Sequence, residues 1–252
     1  MLHQLLALNT FAFILIFVRV GAVITVLPGF SAGYVSMRIR LLLALTISFL
    51  LTPVLAEQLP GLPATPVALG LLLLGEVLIG VFLGVLARMV VASLHVAGTF
   101  ASYFASLTSA LVNDPVTDQQ SSTISGFFGT VGVLLIFVAD LHHLMLMAVA
   151  ESYTLFVPGE APPIGDFADM IAQRVADAFA LGLQLSAPFL IFGLAYYIGL
   201  GLLGRLMPQL QVFFIGIPVQ ISLQIWVMML TLSGIMMIFL NRFSEVIGPF
   251  AG

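Results

Sequence analysis

Six apolar stretches dominate the chain: Leu5–Leu27, Leu41–Ala56, Val67–Ala92, Ile124–Val149, Val175–Gly204 and Val212–Leu240. A helix needs roughly 20 apolar residues to cross a ~30 Å hydrocarbon core. The second stretch has 16 and reaches span length when extended back through Ile39 or when the bilayer thins. The runs are continuous rather than alternating, which favours helices over a membrane barrel. The first stretch has no basic flank and carries Arg19 inside it, so it reads as a retained helix rather than a signal peptide. The pattern predicts an all-α membrane protein with about six helical segments.

Two connections are polar, Glu57–Pro66 with three prolines and Glu151–Arg174 with Glu160, Asp166 and Asp169. Placing Arg38 and Arg40 on the cytoplasmic side puts both of these Arg-poor loops outside. Arg205 then falls inside, but strict alternation sends Arg242 outside. Either the rule fails for one residue, or one of the last two stretches does not span simply. Gly193, Gly199, Gly201, Gly204, Pro208, Gly216 and Pro218 would permit broken or re-entrant helices there. No repeat of 20–50 residues is visible.

Composition narrows the classes. Of 252 residues, 61% are hydrophobic and only 7% charged, with a mean hydropathy of +1.21, where a soluble domain carries about 25% charge. All seven basic residues are arginine; without lysine there is no Walker A phosphate loop and no Schiff-base or pyridoxal chemistry. Zero cysteines remove disulfides, thiolate catalysis and thiolate metal sites. A net charge of −4 offers no basic face for nucleic acid. The residues call for no cofactor.

Between the third and fourth stretches, Ala97–Thr130 behaves neither as a membrane helix nor as an ordinary loop. It is long, almost uncharged and rich in small residues and aromatics, including Gly98, Phe100, Tyr103, Phe104 and Leu107. Asn113-Asp114-Pro115 predicts a turn, and Ser121–Thr123 can cap the helix that follows. A plain surface connection is the alternative; the composition suits a segment packed inside an assembly.

Several constellations carry a chemical reading beside a structural one. Glu76, Gly80, Gly84 and Arg88 fall at i, i+4 intervals; the glycines form a groove for close helix approach, and the two charges sit about 120° apart around the helix. A packing face is favoured over a proton relay, and Arg19 is expected to point at a protein partner. Asp140, His142 and His143 have metal-ligand residue types, but the other histidines, His3 and His95, show no convergence with them, and a structural or interfacial role is preferred. Gly29-Phe30-Ser31-Ala32-Gly33 matches the nucleophile-elbow pattern without the strand that the elbow requires; a hydrolase using Ser31 is the least favoured reading.

The order of several motifs resembles the FliR family of flagellar biosynthesis proteins, called SctT in virulence secretion. They are Arg19-Val20-Gly21-Ala22 with Pro28; Arg38 to Leu45; Gly75-Glu76 with Gly80 and Gly84; the small and aromatic segment ending in Asp114-Pro115; and Pro208-Gln209-Leu210-Gln211-Val212-Phe213-Phe214-Ile215-Gly216-Ile217-Pro218. Two departures are Gln211, where members commonly carry Asn, and Val116-Thr117-Asp118, where Gly soon follows the Asp-Pro. The resemblance implies one membrane domain over 1–252, with N-terminal helices and a plug loop in 1–123 and helical hairpins in 124–252. It implies kinked hairpins within a hetero-oligomeric helical export gate in the bacterial inner membrane, at the flagellar basal body. The partners it implies are several FliP and FliQ homologues, an FlhB homologue, unfolded flagellar subunits as cargo, and lipid, and it implies a structural and gating subunit rather than an enzyme. The driving energy would come from the proton-motive force and a separate ATPase. The loop at roughly Gly98–Ser122 would plug the closed channel, with Gly98, Phe100, Tyr103, Phe104, Leu107, Asn113, Asp114 and Pro115 as plug residues, held by packing without buried ion pairs. Arg19, Glu76, Gly80, Gly84, Arg88, Pro208, Gln209, Gly216 and Pro218 would serve packing and assembly. The competing reading, a stand-alone secondary transporter of a small solute, requires internal pseudo-symmetry and paired mid-membrane polar groups; the chain offers no matched second half.

Overall fold

The computed structural model describes residues 2–107, 111–114, 119–207 and 212–251. The elements run α1 (Leu2–Val26), α2 (Met37–Leu55), α3 (Pro66–Phe104), strands β1 (Leu111–Asp114) and β2 (Gln119–Ser122), α4 (Thr123–Val138), α5 (Leu141–Leu155), α6 (Ile164–Leu206) and α7 (Val212–Ile247). Among the described residues, four helices are long and apolar enough to cross a membrane, namely α2, α3, α6 and the helix through Phe214–Phe250, and α4 with α5 make a fifth candidate span bent by 74°.

Helix starts follow local chemistry. Ser36 caps α2 by accepting from the Ile39 N–H. Pro66 opens α3, where a missing N–H costs nothing, and the Thr65 hydroxyl accepts from Ala68 N–H at 3.3 Å. Three boundaries differ from the sequence expectation. First, α3 does not stop at Ala92 but runs to Phe104. Its extra turns carry Ser93 and Thr99, whose hydroxyls bond the Val90 and His95 carbonyls within the helix; polar residues satisfied in this way do not end a helix. Second, the loop expected over Glu151–Arg174 shrinks to 156–163, because α5 continues to Leu155 and α6 starts at Ile164. The first turns of α6 place Phe167 inside while Asp166 and Asp169 stay exposed, a helical period hidden in polar composition. Third, the fourth stretch is divided into two helices, α4 and α5. Asp140 adopts a left-handed backbone with φ 58°, which Asp tolerates better than most residues, and the chain turns there. α6 and α7 each continue through an internal proline, Pro188 and Pro218.

The chain forms two compact units. The first comprises 1–89, 136–174 and 243–252, the second 90–135 and 175–242. In the first, Leu15, Ile16, Val20 and Ile24 of α1 are buried, as are Phe82 and Leu86 of α3 and Tyr153 of α5. Phe82 stacks on Phe167 with ring centroids 3.9 Å apart and meets Phe156 and Phe250 edge-on. In the second, Leu94, Ala97 and Ala101 of α3 are buried, together with Phe128 of α4, Phe189 of α6 and Phe239 of α7. Large apolar side chains remain exposed on each unit, among them Leu50, Val54 and Leu71 of the first and Ile191, Ile198, Phe214 and Leu230 of the second, each more than 60% exposed. Water would not tolerate so much bare hydrocarbon; lipid or neighbouring subunits must cover it.

Candidate functional site: the hairpin after α3

The segment that the sequence singled out lies wholly in the second unit and has two parts. Its first part is helix, not loop: Gly98, Phe100, Tyr103 and Phe104 belong to α3. The helix ends in a Schellman arrangement. Ser106 takes φ 58°, its N–H bonds Tyr103 O at 3.2 Å, and the Leu107 N–H reaches back to Ser102 O at 2.9 Å. Glycine is the usual residue at this left-handed position, so serine here left the sequence without a stop signal.

The second part is a β-hairpin, with Leu111 opposite Ser122, Asn113 opposite Gln120 and Asp114 opposite Gln119. A two-stranded hairpin is marginal by itself, so its position depends on what fastens it. Ser102 Oγ of α3 donates to Ser122 Oγ at 2.8 Å, fixing the hairpin base. Gly98 lets the two helices meet, since a Cβ there would collide with the Ser125 backbone. Gln220 of α7 donates to the Phe104 carbonyl and, at 2.9 Å, to the Tyr197 hydroxyl, tying down the end of α3. Nearest the hairpin turn, the buried Asp114 carboxylate lies 3.3 Å from His95 Nδ1.

Side-chain placement redistributes the expected roles. Tyr103 is 61% exposed, whereas Phe104 is 8% exposed and packs over Gly193. Phe104 therefore belongs to the unit's own interior and cannot line a passage. Phe100 is half-buried beside Phe179, and Leu107 is half-buried. Asp114 is a buried carboxylate with an imidazole beside it. His95, which no sequence pattern connected to Asp114, is brought to it by the extra turns of α3. Pro115, Pro208 and Gln209 lie outside the described residues.

The assembly residues sort differently again. Arg19 does not reach out to another protein; it is fully buried in the first unit and donates to five acceptors. Its Nε reaches Glu76 Oε2 at 2.6 Å and Nη2 reaches Glu76 Oε1 at 3.1 Å. Nη1 bonds Ser152 O and Oγ, Nη2 also bonds Phe156 O at 3.0 Å, and the guanidinium sits 3.9 Å over the Tyr153 ring. One side chain thus joins α1, α3 and α5. Gly80 and Gly84 admit α1 of the same chain: a Cβ on Gly80 would lie 2.6 Å from Arg19 O, and one on Gly84 2.7 Å from Val26 Cβ. Arg88 stands exposed on α3. In the second unit, Gly216 accepts from the Tyr196 hydroxyl at 2.6 Å, and Pro218 accepts from Ser222 at 3.0 Å.

The remaining candidates carry less. Asp140, His142 and His143 do converge, their ligand atoms lying within 4.8 Å of one another. Ser31 sits in a turn with no strand before it, and its hydroxyl donates to Val26 O at 3.2 Å. In the second unit, Asp114 Oδ2 and Ser125 Oγ both lie 3.3 Å from the same nitrogen, His95 Nδ1. A hydrolytic triad needs them on opposite ring nitrogens, so this trio fastens rather than catalyses.

These features define a polytopic all-α membrane protein whose principal non-helical element is a fastened hairpin between two apolar helices. The family of bacterial export proteins, family 1, matches residues 10–246. The chain is 35% identical to the flagellar biosynthetic protein FliR of Caulobacter vibrioides over 97% of each chain. It is 30% identical to FliR of Bacillus subtilis, over 94% of this chain and 92% of that one. The surface presentation of antigens protein SpaR of Salmonella typhimurium is 25% identical over 87% and 82%. The chain belongs to the FliR family of bacterial export proteins, and is a membrane subunit of the flagellar type III export apparatus. Neither the family match nor these relatives support the solute-transporter alternative.

Proposed function

We propose that the chain is a structural and gating subunit of the export channel and performs no catalysis of its own. It sits in the inner membrane among FliP and FliQ homologues with an FlhB homologue nearby, and unfolded flagellar subunits pass through the assembly. The segment from the end of α3 through β2 is the plug. The observation that carries this reading is the hairpin itself. It joins α3 and α4, two apolar helices, and among the described contacts Ser102 of α3 donates to Ser122 at its base while the Asp114 carboxylate lies against His95. A short ribbon held that way can leave its seat as a body without unpacking the helices around it. Tyr103, exposed beside it, and Leu107 supply the apolar surface of a constriction that excludes water. The bare apolar faces of α2, α6 and α7 are surfaces for neighbouring subunits.

Deleting Ala105–Leu111 from the intact apparatus tests the plug. The deletion should raise small-ion leak through the resting membrane while the complex still assembles. A deletion complex as tight to ions as the parent defeats the assignment. Co-purification in mild detergent tests the assembly: FliP and FliQ homologues should accompany the chain, and a stable solitary monomer would overturn the subunit reading.

A further inference from the structure

We propose that Asp140, His142 and His143 form a binding site for one divalent transition-metal ion of the zinc class, independent of the plug. All three belong to the first unit and stand at the turn that opens α5. One ligand atom from each lies within 4.8 Å of the others. Two imidazoles and a carboxylate are nitrogen and oxygen donors of the kind zinc takes, with bonds of roughly 2.0–2.2 Å. Calcium and magnesium take oxygen donors instead, so the two histidines set the class of ion.

The fold gathers these groups without using them. Asp140 stands at the N-cap of α5, where a carboxylate ordinarily accepts from the first turn, but its left-handed backbone leaves no side-chain cap hydrogen bond. Its Oδ1 lies instead 3.8 Å from His143 Nδ1. That is too long for a hydrogen bond, yet two ligands on one zinc ion stand roughly 3–4 Å apart. Side chains at i and i+1 do not face each other along a helix, but the His142 and His143 rings have centroids only 4.1 Å apart. The His142 ring is held in place: it stacks on Phe137 with centroids 5.1 Å apart and planes 16° apart, and Phe137 meets Phe30 at 5.4 Å. Its Nδ1 is buried and has no hydrogen-bond partner among the described residues. A ring nitrogen withdrawn from water needs a partner, and coordination supplies one. The Asp140 and His143 side chains are 79% and 66% exposed, so an ion reaches them from solution. Three protein ligands leave a fourth position to water, the arrangement of an exchangeable site rather than a closed structural one.

The test is a zinc titration of the intact export complex in mild detergent, stripped beforehand with a chelator and read against a chromophoric zinc indicator. The parent complex should bind one zinc ion per copy of this chain that the variants do not. His143→Ala, Asp140→Asn and His142→Ala should each weaken that ion by about tenfold or more, equivalent to about 1.4 kcal/mol. Glu160→Gln, which alters an exposed acid of the same unit outside the cluster, should bind as the parent does. Calcium and magnesium in large excess should not displace the zinc. If His142→Ala fails to assemble because its ring packs on Phe137, the two exposed positions decide by the same criteria. Zinc held at parental affinity by His143→Ala and Asp140→Asn sits on another subunit or is an adventitious ion only, and overturns the site. A parent that binds no more zinc than these variants overturns it as well, and displacement by calcium or magnesium overturns the assigned class of ion.

Discussion

Removing Arg19 should be among the most damaging single changes outside the hairpin. Arg19→Ala strands the Glu76 carboxylate, 1% exposed in the first unit, without the guanidinium that donates to both its oxygens. Breaking one side of a buried pair costs about 3–5 kcal/mol. The Ser152 and Phe156 carbonyls lose donors as well, and the Tyr153 face loses a cation worth about 1 kcal/mol. For a chain of this size each kcal/mol moves the melting midpoint by roughly 2–4 °C, so the loss should be on the order of 10 °C. The assay is thermal unfolding of the export complex in mild detergent, read beside cellular accumulation. The double variant Arg19→Met/Glu76→Met supplies the control. Replacing both charges by apolar side chains removes the stranded carboxylate, so the double variant should be more stable than Arg19→Ala by about 2 kcal/mol or more. A melting curve for Arg19→Ala within a degree or two of the parent would refute the hub. A double variant worse than either single one would refute the electrostatic account of it.

Two further outcomes follow from close approach. Gly80→Ala should destabilise the first unit by roughly 2–3 kcal/mol, because its Cβ meets Arg19 backbone that cannot retreat without moving α1. Gly21→Ala, with nothing within 4 Å of its Cβ, should instead be neutral or stabilising by up to about 1 kcal/mol through helix propensity; circular-dichroism melts of the two variants separate them. Ser102→Cys with Ser122→Cys, introduced into a chain without cysteine, replaces the 2.8 Å hydroxyl contact by a disulfide. Oxidation should stop export and reduction restore it; export unaffected by a formed crosslink would mean that the hairpin base never moves.

The amino-acid sequence by itself determined that this is a helical membrane chain, because apolar runs of span length with 7% charge have no other stable arrangement. It also located the unusual segment after the third stretch, whose composition fits neither lipid nor water. Hydropathy misplaced the end of α3 and the start of α6. In both places polar side chains were either satisfied within the helix, as Ser93 is by Val90, or turned outward, as Asp166 and Asp169 are. Only tertiary structure could pair Arg19 with Glu76 across 57 residues or bring His95 to Asp114. A charge that is costly in lipid announces that it needs a partner, but the partner's identity depends on how helices cross. That crossing is set by where glycines such as Gly80, Gly98 and Gly129 allow backbones and rings to meet, a property of packing in three dimensions that no linear period encodes.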